Sequence, residues 1–190
     1  KLFSATLWTG NGSGRTISSG SKSDAVWIKR RNGAAAWAVQ DSTRGTSTAP
    51  EFNTNASEDT SFTQGVTAFG SSSFNIGTQS QVNNNSDTYV GYAIGANGGS
   101  LTTNNEGTQT SYTQTDPSGA FSITKYAGTG SSMTVGHGLS IEPKLTIVKD
   151  RDASVNWIVY TKIVDGSMDY FFLDTDAASG ASGLTGPNSS

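Results

Sequence analysis

The stretch "FSATLWTGNGS", Phe3–Ser13, returns as "FSITKYAGTGS", Phe121–Ser131, at an offset of 118. Phe, Ser, Thr, the aromatic at Trp8 and Tyr126, both glycines and the last Ser recur in place. Further on, "VWIKRRNGAAAWAVQ" (Val26–Gln40) and "TIVKDRDASVNWIVY" (Thr146–Tyr160) match at 120, aligning Lys29 with Lys149, Arg31 with Arg151, Trp37 with Trp157 and Val39 with Val159. "FNTNA" (Phe52–Ala56) then answers "LDTDA" (Leu173–Ala177) at 121. So small a drift means two homologous units that differ by short loop insertions. Self-similarity of this kind constrains the architecture more than any local pattern does.

The units are built of strands. Apolar residues alternate with period two or form short β-branched runs, as half-buried strands require. The pattern predicts strands at Leu2–Trp8, Ala25–Arg30, Trp37–Asp41, Gly65–Phe69, Ser73–Ile76 and Thr88–Ile94. In the second half it predicts Ala120–Tyr126, Met133–Val135, Lys144–Lys149, Trp157–Lys162 and Tyr170–Leu173. Asn-Gly, Gly-Ser and Ser-Gly pairs punctuate them. The best helical stretch, Gly33–Trp37, is too short to be more than a turn. The organisation read from this is a first β unit at 1–95, a polar Gly/Thr/Asn-rich linker or crossing loop at 96–119, and a second β unit at 120–190. The second unit reads as incomplete. Unit one continues about 40 residues past Ala56, whereas only 13 residues follow Ala177, so its closing strands are expected in a continuation of the chain or from elsewhere. Unpaired sheet edges invite association.

Composition excludes several functions. Lys and Arg total 12 against a net charge of −3, too little basic surface for sequence-independent nucleic-acid binding. Cysteine is absent, which removes disulfides and thiolate metal sites. No apolar run approaches the roughly 20 residues a membrane helix needs. Hydrophobic residues make up 33% and charged residues 14%, the balance being Gly, Ser, Thr and Asn, which favour turns and solvated strand faces.

Catalytic constellations are equally thin. His137 is the only histidine, set in "VGHGLSIEP", so a zinc or non-haem iron site lacks ligands, and the ring reads as a turn residue bonded to backbone. "DRD" (Asp150–Asp152) and "DTDAASG" (Asp174–Gly180) hold carboxylates without the spacing of a calcium loop, and read as turns with side-chain caps. "GASGL" (Gly180–Leu184) misses the last glycine of a nucleophile elbow. Glu51, Glu58, Glu106 and Glu142 show no glycosidase spacing. "GNGSG" (Gly10–Gly14) lacks the lysine and helix of a phosphate loop, and sequons at Asn11, Asn55, Asn84 and Asn188 arise readily in Asn/Ser-rich sequence. Lys29-Arg30-Arg31 becomes Lys149-Asp150-Arg151, which favours pairing with nearby carboxylates or an exposed rim over phosphate binding. Trp37 and Trp157 read as core anchors.

In the second unit, Tyr126–Gly130, Val135–Leu139, Pro143, Ile147–Arg151, Trp157–Tyr160 and Leu173–Ala177 fall into one pattern, and Asp87–Gly99 ("DTYVGYAIGANGG") reads as its closing strand. This combination resembles the repeat in virion structural proteins of tailed phages, especially marine ones. Unit one departs from it, with Ser18–Asp24 where the Val-Gly-His-Gly-Leu and Pro elements would fall. The resemblance implies an all-β, antiparallel β-sandwich of jelly-roll or concanavalin-like type, and carries over no catalytic residue, metal or cofactor.

The expected function is therefore that of a phage virion structural or display protein, a capsid-surface decoration or tail-fibre component on the outside of the particle, and not an enzyme. Its expected partners are other virion proteins and further copies of itself as a homo-oligomer, with host attachment through a surface glycan. The alternative is a carbohydrate-binding adhesin module of a secreted or cell-surface bacterial protein. Trp8, Tyr112 and Tyr126 are the candidate contacts for a glycan or partner, since an aromatic face beside Asn/Asp loops can stack on a sugar ring.

Overall fold

Short runs of alternating and β-branched residues, broken every few positions by Gly, Asn or Ser, set the element lengths. The computed structural model describes residues 1–98 and 100–178, with the backbone alone at 180 and 181. Unit one contains β1 (Phe3–Thr9), β2 (Arg15–Ser18), β3 (Ala25–Arg30), β4 (Ala38–Asp41), β5 (Val66–Phe69), β6 (Ser73–Ile76), the one-turn α1 (Ser80–Asn83) and β7 (Thr88–Ile94). Then come β8 (Thr102–Asn104), β9 (Ser111–Thr115), β10 (Ser122–Tyr126), β11 (Leu145–Val148), β12 (Ile158–Thr161), β13 (Asp169–Phe172) and β14 (Gly180–Ala181). They form four small antiparallel sheets, ordered β1-β7-β3-β4, β2-β6-β5, β10-β9-β8 and β11-β12-β13-β14, none of them closed or curled.

In unit one the first two sheets share one core. Val26 and Ile28 of β3, Phe74 and Ile76 of β6, Val66 of β5 and Tyr89 of β7 lie together, each at most 1% exposed. Trp8 closes the side of this core, stacked on Tyr89 at 5.6 Å and edge-on to Phe74 at 5.9 Å. The glycine at position 91 makes room for it, because a Cβ there would stand 2.7 Å from the Trp8 ring.

The repeat is preserved down to strand register. β3 and β4 pair Ala25 with Asp41 and Ile28 with Ala38. β11 and β12 pair Leu145 with Thr161 and Val148 with Ile158, the same partners 120 residues on. Turns recur as well: Gly12 and Gly130, Gly20 and Gly138, and Gly45 and Gly166 all take positive φ, a conformation other residues resist. The Val39 N–H donates to the Pro50 carbonyl at 3.2 Å, while its counterpart Val159 pairs with Phe171, the counterpart of Pro50. Proline has no N–H to return, so unit one forms no strand where unit two has β13.

Several elements differ from expectation. The stretch 96–119 holds β8 and β9, which pair with each other while β9 also pairs with β10, and their almost entirely polar faces give no apolar alternation to read. Around Met133–Val135 there is only a bridge from Gln109 to Val135, and glycines at 130, 136 and 138 bracket it. β2 carries a single apolar residue, Ile17, and α1 is a single turn, so neither left a periodic signal.

Candidate interaction surface

Side chains alternate across a strand, so the shared register lets the faces of the two hairpins be compared residue by residue. In unit one the inner face of β3 and β4 presents Val26, Ile28, Ala38 and Gln40, at 0%, 0%, 1% and 1% exposure under β5 and β6. The counterparts in unit two are Thr146, Val148, Ile158 and Tyr160, extended onto β13 by Tyr170 and Phe172. All six are only half-buried. A face that forms the core in one unit is partly open in the other.

The hairpin end beside this face is held by bonds the repeat has kept. The Lys29 ammonium donates to the Ala35 carbonyl across its loop. Lys149 donates to the counterpart carbonyl, Val155, at 2.9 Å and also to Ala153 at 3.1 Å. The Trp37 N–H donates to Asn53 Oδ1 at 2.9 Å, and the Trp157 N–H to Asp174 Oδ1 at 3.0 Å, an identical cap with Asp in place of Asn. Asp150 Oδ1 accepts the N–H groups of Asp152 at 2.9 Å and Ala153 at 3.2 Å, a side-chain-capped turn. The carboxylates weighed as calcium ligands at 150 and 174 are thus engaged in backbone capping. Among the described residues no three His, Asp or Glu side chains gather as metal ligands.

Arg30, Arg44 and Arg151 pair with carboxylates. Arg30 meets Asp87 at 2.7 Å, and Asn32 adds a second donor to the same oxygen at 3.2 Å. Arg151 instead reaches back to Glu58 of unit one, with Nη2 at 2.6 Å and Nε at 2.7 Å from Oε2. Arg44 holds the other oxygen of Glu58 at 2.7 Å and Asp41 at 2.6 Å. Burial by itself would raise the Glu58 carboxyl. The hydrogen bonds and charges of Arg151 and Arg44 outweigh it and hold the group below its ordinary value. Beside this chain of charges, Phe52 lies edge-on to Trp27 at 5.0 Å and Trp157 at 4.9 Å, with Trp37 at 6.0 Å. The Trp157 indole N–H donates to the Glu51 carbonyl at 2.8 Å. Trp157 and Arg151 therefore tie the end of the second hairpin to unit one, while Val148, Ile158, Tyr170 and Phe172 on its inner face stay half-buried.

The three aromatic candidates do not share one surface. Trp8 is half-buried in the unit-one core, its indole N–H bonded to the Val82 carbonyl at 3.1 Å. Tyr112 and Tyr126 are 45% and 41% exposed. Tyr112 pairs with Lys125, and Tyr126 with Ser111, so the two rings occupy opposite faces of their sheet. Burial pushes the Tyr126 phenol above its ordinary value, and the charges of Tyr160 and Asp150 add to the shift. His137 accepts the Leu139 N–H at Nδ1, 3.0 Å away, inside its own turn. Gly20 and Gly138, both at positive φ, align the position of His137 with Ser19 of unit one. Among the glutamates, Glu51 bonds Gln81, Glu106 bonds Asn104 and Glu142 pairs with Lys162. A shallow polar groove runs past Asn97, Thr102, Asn104, Glu106, Thr115 and Gly138. The sequon at Asn188 and the Ser182–Leu184 end of "GASGL" lie outside the described residues.

The open face was not singled out from sequence, because Val148, Ile158, Tyr170 and Phe172 have the pattern of any core strand. The one available signal was the replacement of Arg30 by Asp150 in an otherwise retained motif.

Residues 1–189 match the family model described as "Domain of unknown function (DUF7483)". No curated protein and no solved structure matches the chain.

Proposed function

The chain belongs to the DUF7483 family, and from that premise we propose that it is a structural or display protein of a phage virion, working by assembly with other virion proteins and not by catalysis. The observation that carries this is the use of the retained residues. Lys29 and Lys149, Trp37 and Trp157, and Asn53 and Asp174 all secure the same hairpin, while the unit-two copy leaves a half-exposed apolar face beside it. Conserving a scaffold twice and leaving one copy partly uncovered suits a part made to be joined to others. The two unit-one sheets around one core support a sandwich of jelly-roll type as the parent architecture. The test is to purify particles and locate the chain by mass spectrometry and cryo-electron microscopy. Capsid-bound units or a trimeric fibre are expected. A monomeric secreted protein absent from particles would overturn the proposal.

The exposure of Tyr112 and Tyr126 favours a second reading, a carbohydrate-binding adhesin module. Glycan-array binding lost on Tyr112→Ala or Tyr126→Ala, with the fold kept, would select it.

A further inference from the structure

Unit one shows what belongs on the open face of unit two. There, the segment Val66–Ile94 covers the hairpin: β5 and β6 lay Val66, Phe74 and Ile76 over Val26 and Ile28, and β7 inserts between β1 and β3. The counterparts of β1 and β3 are β10 and β11, and each stands at the edge of a separate sheet. Among the described residues no strand pairs with the second edge of β11.

We infer that the open face and the β11 edge receive a segment of the β5–β7 pattern that carries Lys or Arg where this chain has Asp87. Charge selects that occupant. In unit one Asp87 leads into β7 and is gripped by Arg30 and Asn32, at 2.7 and 3.2 Å. The positions matching Arg30 and Asn32 in unit two are Asp150 and Asp152, both exposed. An aspartate arriving there meets two carboxylates, whereas a lysine or arginine finds two partners. Within residues 1–190 the segment of this pattern carries Asp87, so a second copy of that segment is disfavoured and a related repeat of different sequence is selected. The mode is strand addition: main-chain bonds to an edge supply affinity, and side-chain complementarity supplies choice. The inference rests on the repeat geometry and stands apart from any location on a virion.

The test uses the full chain and two synthetic peptides spanning residues 62–97, one with Asp87 and one with Asp87→Lys. Binding is read by fluorescence anisotropy and by amide exchange at Leu145–Val148. The lysine peptide should bind at one to one, about tenfold or more tighter than the Asp87 peptide, and slow exchange in β11. Asp150→Lys in the chain, which leaves the apolar side chains in place and sets one cation beside the remaining Asp152, should abolish the preference. Failure of the lysine peptide to bind, equal binding of both peptides, or an unchanged preference in Asp150→Lys would overturn the inference. So would a dimer of the chain alone that already protects Leu145–Val148 and excludes both peptides.

Discussion

Lys149 donates to the carbonyl of Val155 at 2.9 Å, as Lys29 donates to the carbonyl of Ala35. Both pairs sit at matching positions of the two hairpins. A lysine placed to close its own loop is used up structurally, which explains why it persists while its neighbour changes from Arg30 to Asp150. Lys149→Met should destabilise the protein by about 1–2 kcal/mol, because hydrogen bonds from a charged donor are lost and loop carbonyls go unpaired. Chemical denaturation measures this, and exchange should rise first in the loop from Ala153 to Val155.

Glu58 joins the units and makes them acid-sensitive. Its carboxyl is held below the ordinary glutamate value of 4.5, so the folded state binds fewer protons than the unfolded chain. The stabilisation is full above that ordinary value and is lost as pH falls through the lowered, folded value. Glu58→Gln should flatten this acid limb in pH-dependent melting. At neutral pH it should cost about 3 kcal/mol, since Arg44, only 11% exposed, keeps Asp41 but loses a charge partner.

Phe52 is the apolar half of the same junction, wedged between Trp27 of unit one and Trp157 of unit two. Phe52→Ala should cost about 2–3 kcal/mol, below the figure for a fully buried ring because Phe52 is half-buried. Trp157 is 6% exposed in the intact protein, so its emission should shift to the red as the units part.

Asp174 caps the backbone of Trp157 at 3.0 Å, where unit one uses Asn53. Asp174→Ala should cost about 1 kcal/mol and Asp174→Asn should recover most of it, since the amide oxygen can accept the same N–H. A calcium role for this carboxylate would instead show as a metal-dependent melting temperature abolished by either change.

Trp8→Ala should lower stability by about 3 kcal/mol, through loss of its contacts with Tyr89 and Phe74. Thermal unfolding checks it, and the size of the effect makes Tyr112 and Tyr126 the cleaner probes of glycan binding.

What the residues themselves determined is the doubled unit, most strands and the structural character of the shared motif. Strand period, turn glycines and a repeated Lys…Trp frame are local, so they can be read in order along the chain. β8 and β9 escaped because hydroxyl and amide side chains make both faces look solvated until sheet pairing buries Ser111, Thr113 and Gln114. The half-open face escaped for the opposite reason. Val26 and Val148 have the same kind of sequence neighbourhood, yet Val26 is 0% exposed and Val148 is not buried. Alternation tells which residues share a face, but burial depends on what stands across from it. That is a property of distant segments brought together, and only the tertiary structure decided that β5–β7 bury the first hairpin while the matching face of the second stays half-buried.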